Sequence, residues 1–190
     1  MDLERPLVAA FGPFSTDRGG DILAAALPAI MKHDLALALA GKGPEATMNK
    51  LSVARERYAQ RIGLLASPSE AFLHRLYAAA DVALVPSRHE PCGAVQLIAQ
   101  RYGAAVVAHA TGGTIDTLVD CDAELETGTG FLFEEPSAKG LLGGLSRALS
   151  AYASPSWPRL RRRIMKQDLS WDRPARRYLQ IYRQTLAAAG

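Results

Sequence analysis

Asp81-Val82-Ala83-Leu84-Val85-Pro86-Ser87-Arg88-His89-Glu90-Pro91-Cys92-Gly93 is the stretch that decides how this chain folds. Val82 to Val85 is short, β-branched and continuously apolar, which suits a strand covered on both faces. Pro86 ends it, because proline has no N–H for the ladder. Gly93 to Tyr102 then reads as a helix whose first N–H groups point back at the turn, an arrangement that favours an anionic ligand. Strand, acidic turn and helix N-terminus together mark the place where an open α/β sheet binds its ligand. From spacing alone, the same segment reads equally well as an ordinary turn carrying a solvated Glu90.

Outward from this segment, strands and helices alternate, the pattern of a parallel sheet with crossover helices. Leu7 to Phe11, Leu35 to Ala40 and Arg61 to Leu65 read as strands before it, Val106 to Ala108 and Gly130 to Phe133 as strands after it. Helices are expected over Ile22 to Met31, Glu45 to about Tyr58, a segment capped by Ser69 that ends before Asp81, and Thr114 to Val119. Leu141, Leu142, Leu145 and Leu149 give Ala138 to Tyr152 an apolar helical face. The expected fold class is α/β: a doubly wound, Rossmann-like parallel sheet with helices on both faces. Gly41-Lys42-Gly43-Pro44 is a turn by composition.

The chain has 190 residues, a length that suits one domain with a proper core. Residues 1–190 are therefore expected to form a single domain, with 155–190 as a helical tail. The net charge of +3 is too small to argue for nucleic acid. No apolar run approaches the roughly 20 residues of a membrane span, and Met1-Asp2-Leu3-Glu4-Arg5 lacks the apolar core of a signal peptide. Cys92 and Cys121 are too few for a disulfide scaffold and lie in no metal-ligand spacing, so a reducing cytoplasm is the expected compartment. Cys92 is expected to be a small buried thiol. In the tail, Arg159, Arg161, Arg162, Arg163 and Lys166 read as the solvated face of a helix. Trp171 to Leu186 reads as a terminal amphipathic helix through Tyr178, Ile181, Tyr182 and Leu186.

Ser87-Arg88-His89-Glu90-Pro91-Cys92-Gly93, followed by Gln96-Leu97 and Arg101-Tyr102-Gly103, closely resembles the donor-site segment of bacterial glycogen synthases and plant starch synthases. The resemblance continues through Ala110-Thr111-Gly112-Gly113-Thr114-Ile115-Asp116-Thr117, Thr127-Gly128-Thr129-Gly130-Phe131-Leu132-Phe133 and Asp168-Leu169-Ser170-Trp171. It covers about Pro6 to Tyr182 and corresponds to the C-terminal half of such an enzyme, one of the two Rossmann-like domains of a GT-B glycosyltransferase. The acceptor-side N-terminal domain is expected to be absent, and the isolated chain to show little or no transfer.

The resemblance implies transfer of a glucosyl unit from ADP-glucose or UDP-glucose to an α-1,4-glucan, with retention of configuration, no metal and no cofactor. It assigns Glu90 and Arg18 as catalytic residues, Glu90 accepting hydrogen bonds from glucose hydroxyls. The N–H groups of Gly93 and Ala94 meet the diphosphate. Arg88, Thr111, Gly112 and Gly113 complete the donor set, the glycines allowing close backbone approach.

The chain also departs from that pattern. Pro13 stands where the family has an arginine that reaches the diphosphate, and Arg18 where it has a lysine. An arginine offers a forked contact rather than a point charge, whereas a proline supplies no cation. Ser67-Pro68-Ser69-Glu70 replaces the Gly-Tyr pair that stacks on the nucleobase, His89 replaces a phenylalanine, and Ile98 occupies the position of a ribose-binding glutamate in many relatives. The alternatives are a degenerate domain that only binds nucleotide-sugar or glucan, and a protein-interaction module.

Overall fold

Val82–Val85, buried at all four residues, forms strand β4 near the middle of a six-stranded, wholly parallel sheet. The structure, a computed structural model, describes residues 5–188. The other strands are β1 (Leu7–Phe11), β2 (Ala36–Ala40), β3 (Ile62–Leu65), β5 (Ala105–His109) and β6 (Gly130–Phe133). Their order across the sheet is β3-β2-β1-β4-β5-β6. The chain thus runs outward one way from β1, returns, and runs outward the other way from β4. The doubly wound architecture expected from the sequence is the one observed, and its reversal lies between β1 and β4.

Successive residues of each strand face opposite sides, so the sheet feeds two cores. Val8, Ala10, Leu37, Leu39, Val82, Leu84 and Val107 point into one. That side is closed by helices α1 (Gly20–Ile30), α2 (Glu45–Arg57) and α6 (Ala138–Tyr152), through Leu23, Leu27, Leu51, Leu141 and Leu145. Ala9, Ala83, Val85, Val106 and Ala108 point into the other, covered by α3 (Glu70–Ala79) and α4 (Ala94–Tyr102). Ser69 caps α3, accepting from the Phe72 amide at 3.2 Å. Between β5 and β6 lies the short helix α5 (Gly113–Thr117).

Helix α7 (Trp157–Met165) carries the basic run, and here the solvated-face expectation needs correction. Trp157, Leu160 and Ile164 are buried. The Arg163 guanidinium donates to the carbonyl oxygens of Gly128 at 2.7 Å and Thr127 at 2.9 Å, and Arg161 Nε to that of Gly103 at 3.1 Å. Two of the five basic side chains are therefore clamps on neighbouring loops, because their long apolar stems bring the guanidinium to carbonyls that lack ladder partners. Helix α8 (Asp172–Ala188) leaves Tyr178, Leu179, Ile181, Tyr182 and Leu186 exposed.

Candidate functional site

Parallel strands deliver their loops to one edge of the sheet, so the β1–α1 and β4–α4 loops meet at the reversal point. The Gly12 amide donates to Ala40 O at 2.8 Å and the Phe14 amide to Lys42 O at 2.7 Å, which ties the first loop over the end of β2. The second loop is fastened to the first by backbone, with the Arg88 and His89 amides both donating to Asp17 O, at 2.8 and 3.2 Å. A two-pronged ion pair reinforces this: Arg88 reaches Oδ1 and Oδ2 of Asp21 at 2.7 and 2.8 Å. The same guanidinium donates to Thr16 O at 2.7 Å. Hydrogen bonding from Arg88 holds the Asp21 carboxyl below the ordinary aspartate range.

Glu90 is drawn inward by this arrangement and is only 6% exposed. Burying a carboxylate demands partners. Ser87 Oγ donates to Oε2 at 2.9 Å, and the Arg18 guanidinium forms an ion pair with Oε1. A third loop supports the backbone behind the carboxylate. The Gly113 amide donates to Glu90 O at 2.7 Å, and Thr111 Oγ1 to Arg88 O at 3.2 Å. Gly112, at φ 47° and ψ −128°, passes so close to Glu90 O that a Cβ there would collide with it. A Cβ on Gly113 would meet the Cys92 carbonyl in the same way. The His109 ring nitrogens lie 2.8 Å from Ser87 O and 3.1 Å from Glu134 O, bridging the Glu90 loop to the end of β6.

Helix α4 begins at this point. Its N-cap, Gly93, is left-handed at φ 86° and offers no side-chain cap, and no acidic residue occupies the first turn. The orphan N–H groups and positive dipole end of α4 therefore remain available to an anion. Ala94, Arg18, Ser87, Glu90, Pro13, Phe11 and Val95 are among the residues that line a cleft of about 220 Å³ at the sheet edge. A larger groove of about 880 Å³ runs between α3, α4 and the α7–α8 connection, past His74, Ile98, Tyr102 and Asp168. It does not include Glu90.

Of the residues singled out in the sequence, Glu90, Arg18 and Ala94 thus share one cleft, with Gly93 at the helix start beside it. Behind Glu90, Gly113 bonds its carbonyl oxygen, Gly112 approaches the same oxygen closely, and Thr111 bonds Arg88 O. Arg88 sits in the wall with its guanidinium committed to Asp21. Ser87, Asp21 and His109 received no role from the sequence, although Asp21 and Arg88 are 67 positions apart and nothing in either local pattern announces the pair. Cys92 is exposed, against expectation, because it lies on the outer side of the turn; Cys121 is the buried thiol.

A family model described as "Glycosyl transferases group 1" matches residues 5–151. The chain belongs to the group 1 glycosyl transferases. Within that family it is 38% identical over 186 residues to glycogen synthase 2 of Nitrosococcus oceani, covering 96% of this chain and 38% of that protein. It is 35% identical over 187 residues to glycogen synthase of Chlorobium phaeobacteroides, again covering 38% of the relative. The chain thus spans well under half the length of these two relatives. Among solved structures, the catalytic domain of starch synthase IV from Arabidopsis thaliana, bound to ADP and acarbose, superposes with a TM-score of 0.83 at 27% identity. That match covers 96% of this chain and 39% of the other. The domain is therefore glycogen/starch synthase-like, with the Rossmann-like fold of GT-B glycosyltransferases. Among the described residues, no helix is long and apolar enough to cross a membrane.

Proposed function

We propose that this domain binds a nucleotide-diphosphate glucose, ADP-glucose or UDP-glucose, and presents its glucosyl unit for retaining transfer to an α-1,4-glucan when joined to an acceptor-side domain. The observation that carries this reading is the buried Glu90 carboxylate, set beside Arg18 in the cleft at the uncapped start of α4. A departing nucleoside diphosphate develops negative charge, which fixed donors must meet without reorganising. The first-turn N–H groups of α4 supply such donors, and the Arg18 guanidinium supplies a cation beside them. The sugar, turning oxocarbenium-like, must be oriented through its hydroxyls, and a carboxylate locked by Ser87 is a fixed acceptor for them. The Gly113 amide helps keep that acceptor in place by bonding the Glu90 carbonyl, and Gly112 allows the close approach.

Calorimetric titration of the chain with ADP, UDP and their glucose conjugates, at low ionic strength, tests the reading. Saturable binding that tightens with the glucosyl group supports it; no binding at mM concentrations counts against it. Glu90→Ala should reduce the advantage of the glucose conjugate over the bare nucleotide, and an unchanged advantage would remove Glu90 from sugar recognition. Transfer itself is tested on a protein in which this chain is joined to an acceptor-side domain. A second reading, binding without transfer, draws on Pro13, which lines the cleft where a second cation would stand. A two-domain protein carrying this chain that binds donor yet transfers nothing would favour it.

A further inference from the structure

The acid and the cation of this cleft neutralise one another. Both Glu90 oxygens are engaged, Oε1 by Arg18 and Oε2 by Ser87 Oγ at 2.9 Å. The carboxylate side chain is 5% exposed and the arginine 36%, so the guanidinium can swing toward solvent while the carboxylate cannot. Among the described residues lining the cleft, Arg18 is the one cationic side chain. Arg88, on the neighbouring turn, is already paired with Asp21.

Resting on the donor reading above, we propose that the Arg18–Glu90 ion pair is a latch that couples diphosphate recognition to sugar recognition. Glu90 holds the cation that a diphosphate needs, and Arg18 occupies the oxygen that a sugar hydroxyl needs. A diphosphate at the start of α4 carries more charge than one carboxylate and draws the guanidinium to itself. That movement uncovers Oε1 for the sugar. Each half of the ligand then favours binding of the other, and by linkage the coupling is reciprocal. The latch predicts something that a simple sugar-binding role for Glu90 does not: removing the carboxylate charge improves binding of a nucleotide that carries no sugar.

The experiment is titration of the 190-residue chain with ADP at low ionic strength, for wild type, Glu90→Gln, Arg18→Met and the double variant. Glu90→Gln should bind ADP about two- to fivefold more tightly, the range expected for release of a partly exposed ion pair. In the Arg18→Met background the same change should bring no gain, since no cation is left to release. Glu90→Asp, which retracts the carboxylate by one methylene, should show part of the gain and serves if the amide variant folds poorly. Equal or weaker ADP binding by Glu90→Gln, or a gain that survives without Arg18, overturns the latch and leaves the donor reading standing. Failure of ADP to bind any of the four proteins overturns both.

Discussion

The amide of Gly113 donates to the carbonyl oxygen of Glu90 at 2.7 Å, and that bond joins the α5 loop to the acidic turn. The approach requires Gly112 beside it to adopt φ 47°, ψ −128°, with no Cβ between it and Glu90 O. Gly112→Ala therefore meets both a disfavoured backbone region and a collision. We expect a loss of about 1–3 kcal/mol in urea unfolding, accompanied by a smaller advantage of ADP-glucose over ADP. An alanine variant with unchanged stability would show that the loop relaxes away from Glu90.

The Arg88–Asp21 pair gives the fastening of the two loops a pH dependence. Arg88 lowers the Asp21 pKa in the folded state, so the stability it contributes is complete above the ordinary aspartate value of 3.8 and is lost as pH falls through the lowered folded value. Asp21→Asn should be less stable than wild type at neutral pH by about 1 kcal/mol or less, as the pair is partly exposed. The gap should narrow as pH drops below 3.8. Denaturation curves of both proteins at several pH values check this, and a gap that does not change with pH would contradict it.

Pro13 lines the cleft near Arg18 and contributes no charge. Pro13→Arg should tighten ADP binding by about tenfold, the effect of one added charge-assisted contact to phosphate. Titration at low and moderate ionic strength should also show a steeper salt dependence in the variant. No gain would mean that this part of the loop does not face a diphosphate.

Cys92 is exposed and Cys121 buried, and burial pushes the Cys121 thiol up from its ordinary pKa. A thiol reagent under native conditions should modify one cysteine per chain rapidly, and Cys92→Ser should abolish that reaction. Rapid modification of two thiols would place Cys121 nearer the surface than it is here.

The sequence by itself determined the alternation of elements, the strand Val82–Val85 and the turn after it. These depend on local physics: apolar runs, a proline that ends a ladder, a serine that caps a helix. Glu90, Arg18 and the two glycine positions were singled out through the resemblance to glycogen and starch synthases, since spacing alone left Glu90 equally readable as a solvated turn residue. Tertiary structure alone decided what these groups do to one another. The ion pair of Arg18 with Glu90, the brace of Arg88 on Asp21, the His109 bridge and the clamps of Arg161 and Arg163 all join residues far apart in the chain. The exposure of Cys92 depended on which side of a turn faces the core, and the burial of one face of α7 on what packs beneath it. Side-chain type sets what a residue can bond; only the packed sheet, by bringing three loops to one edge, sets which partner is within reach.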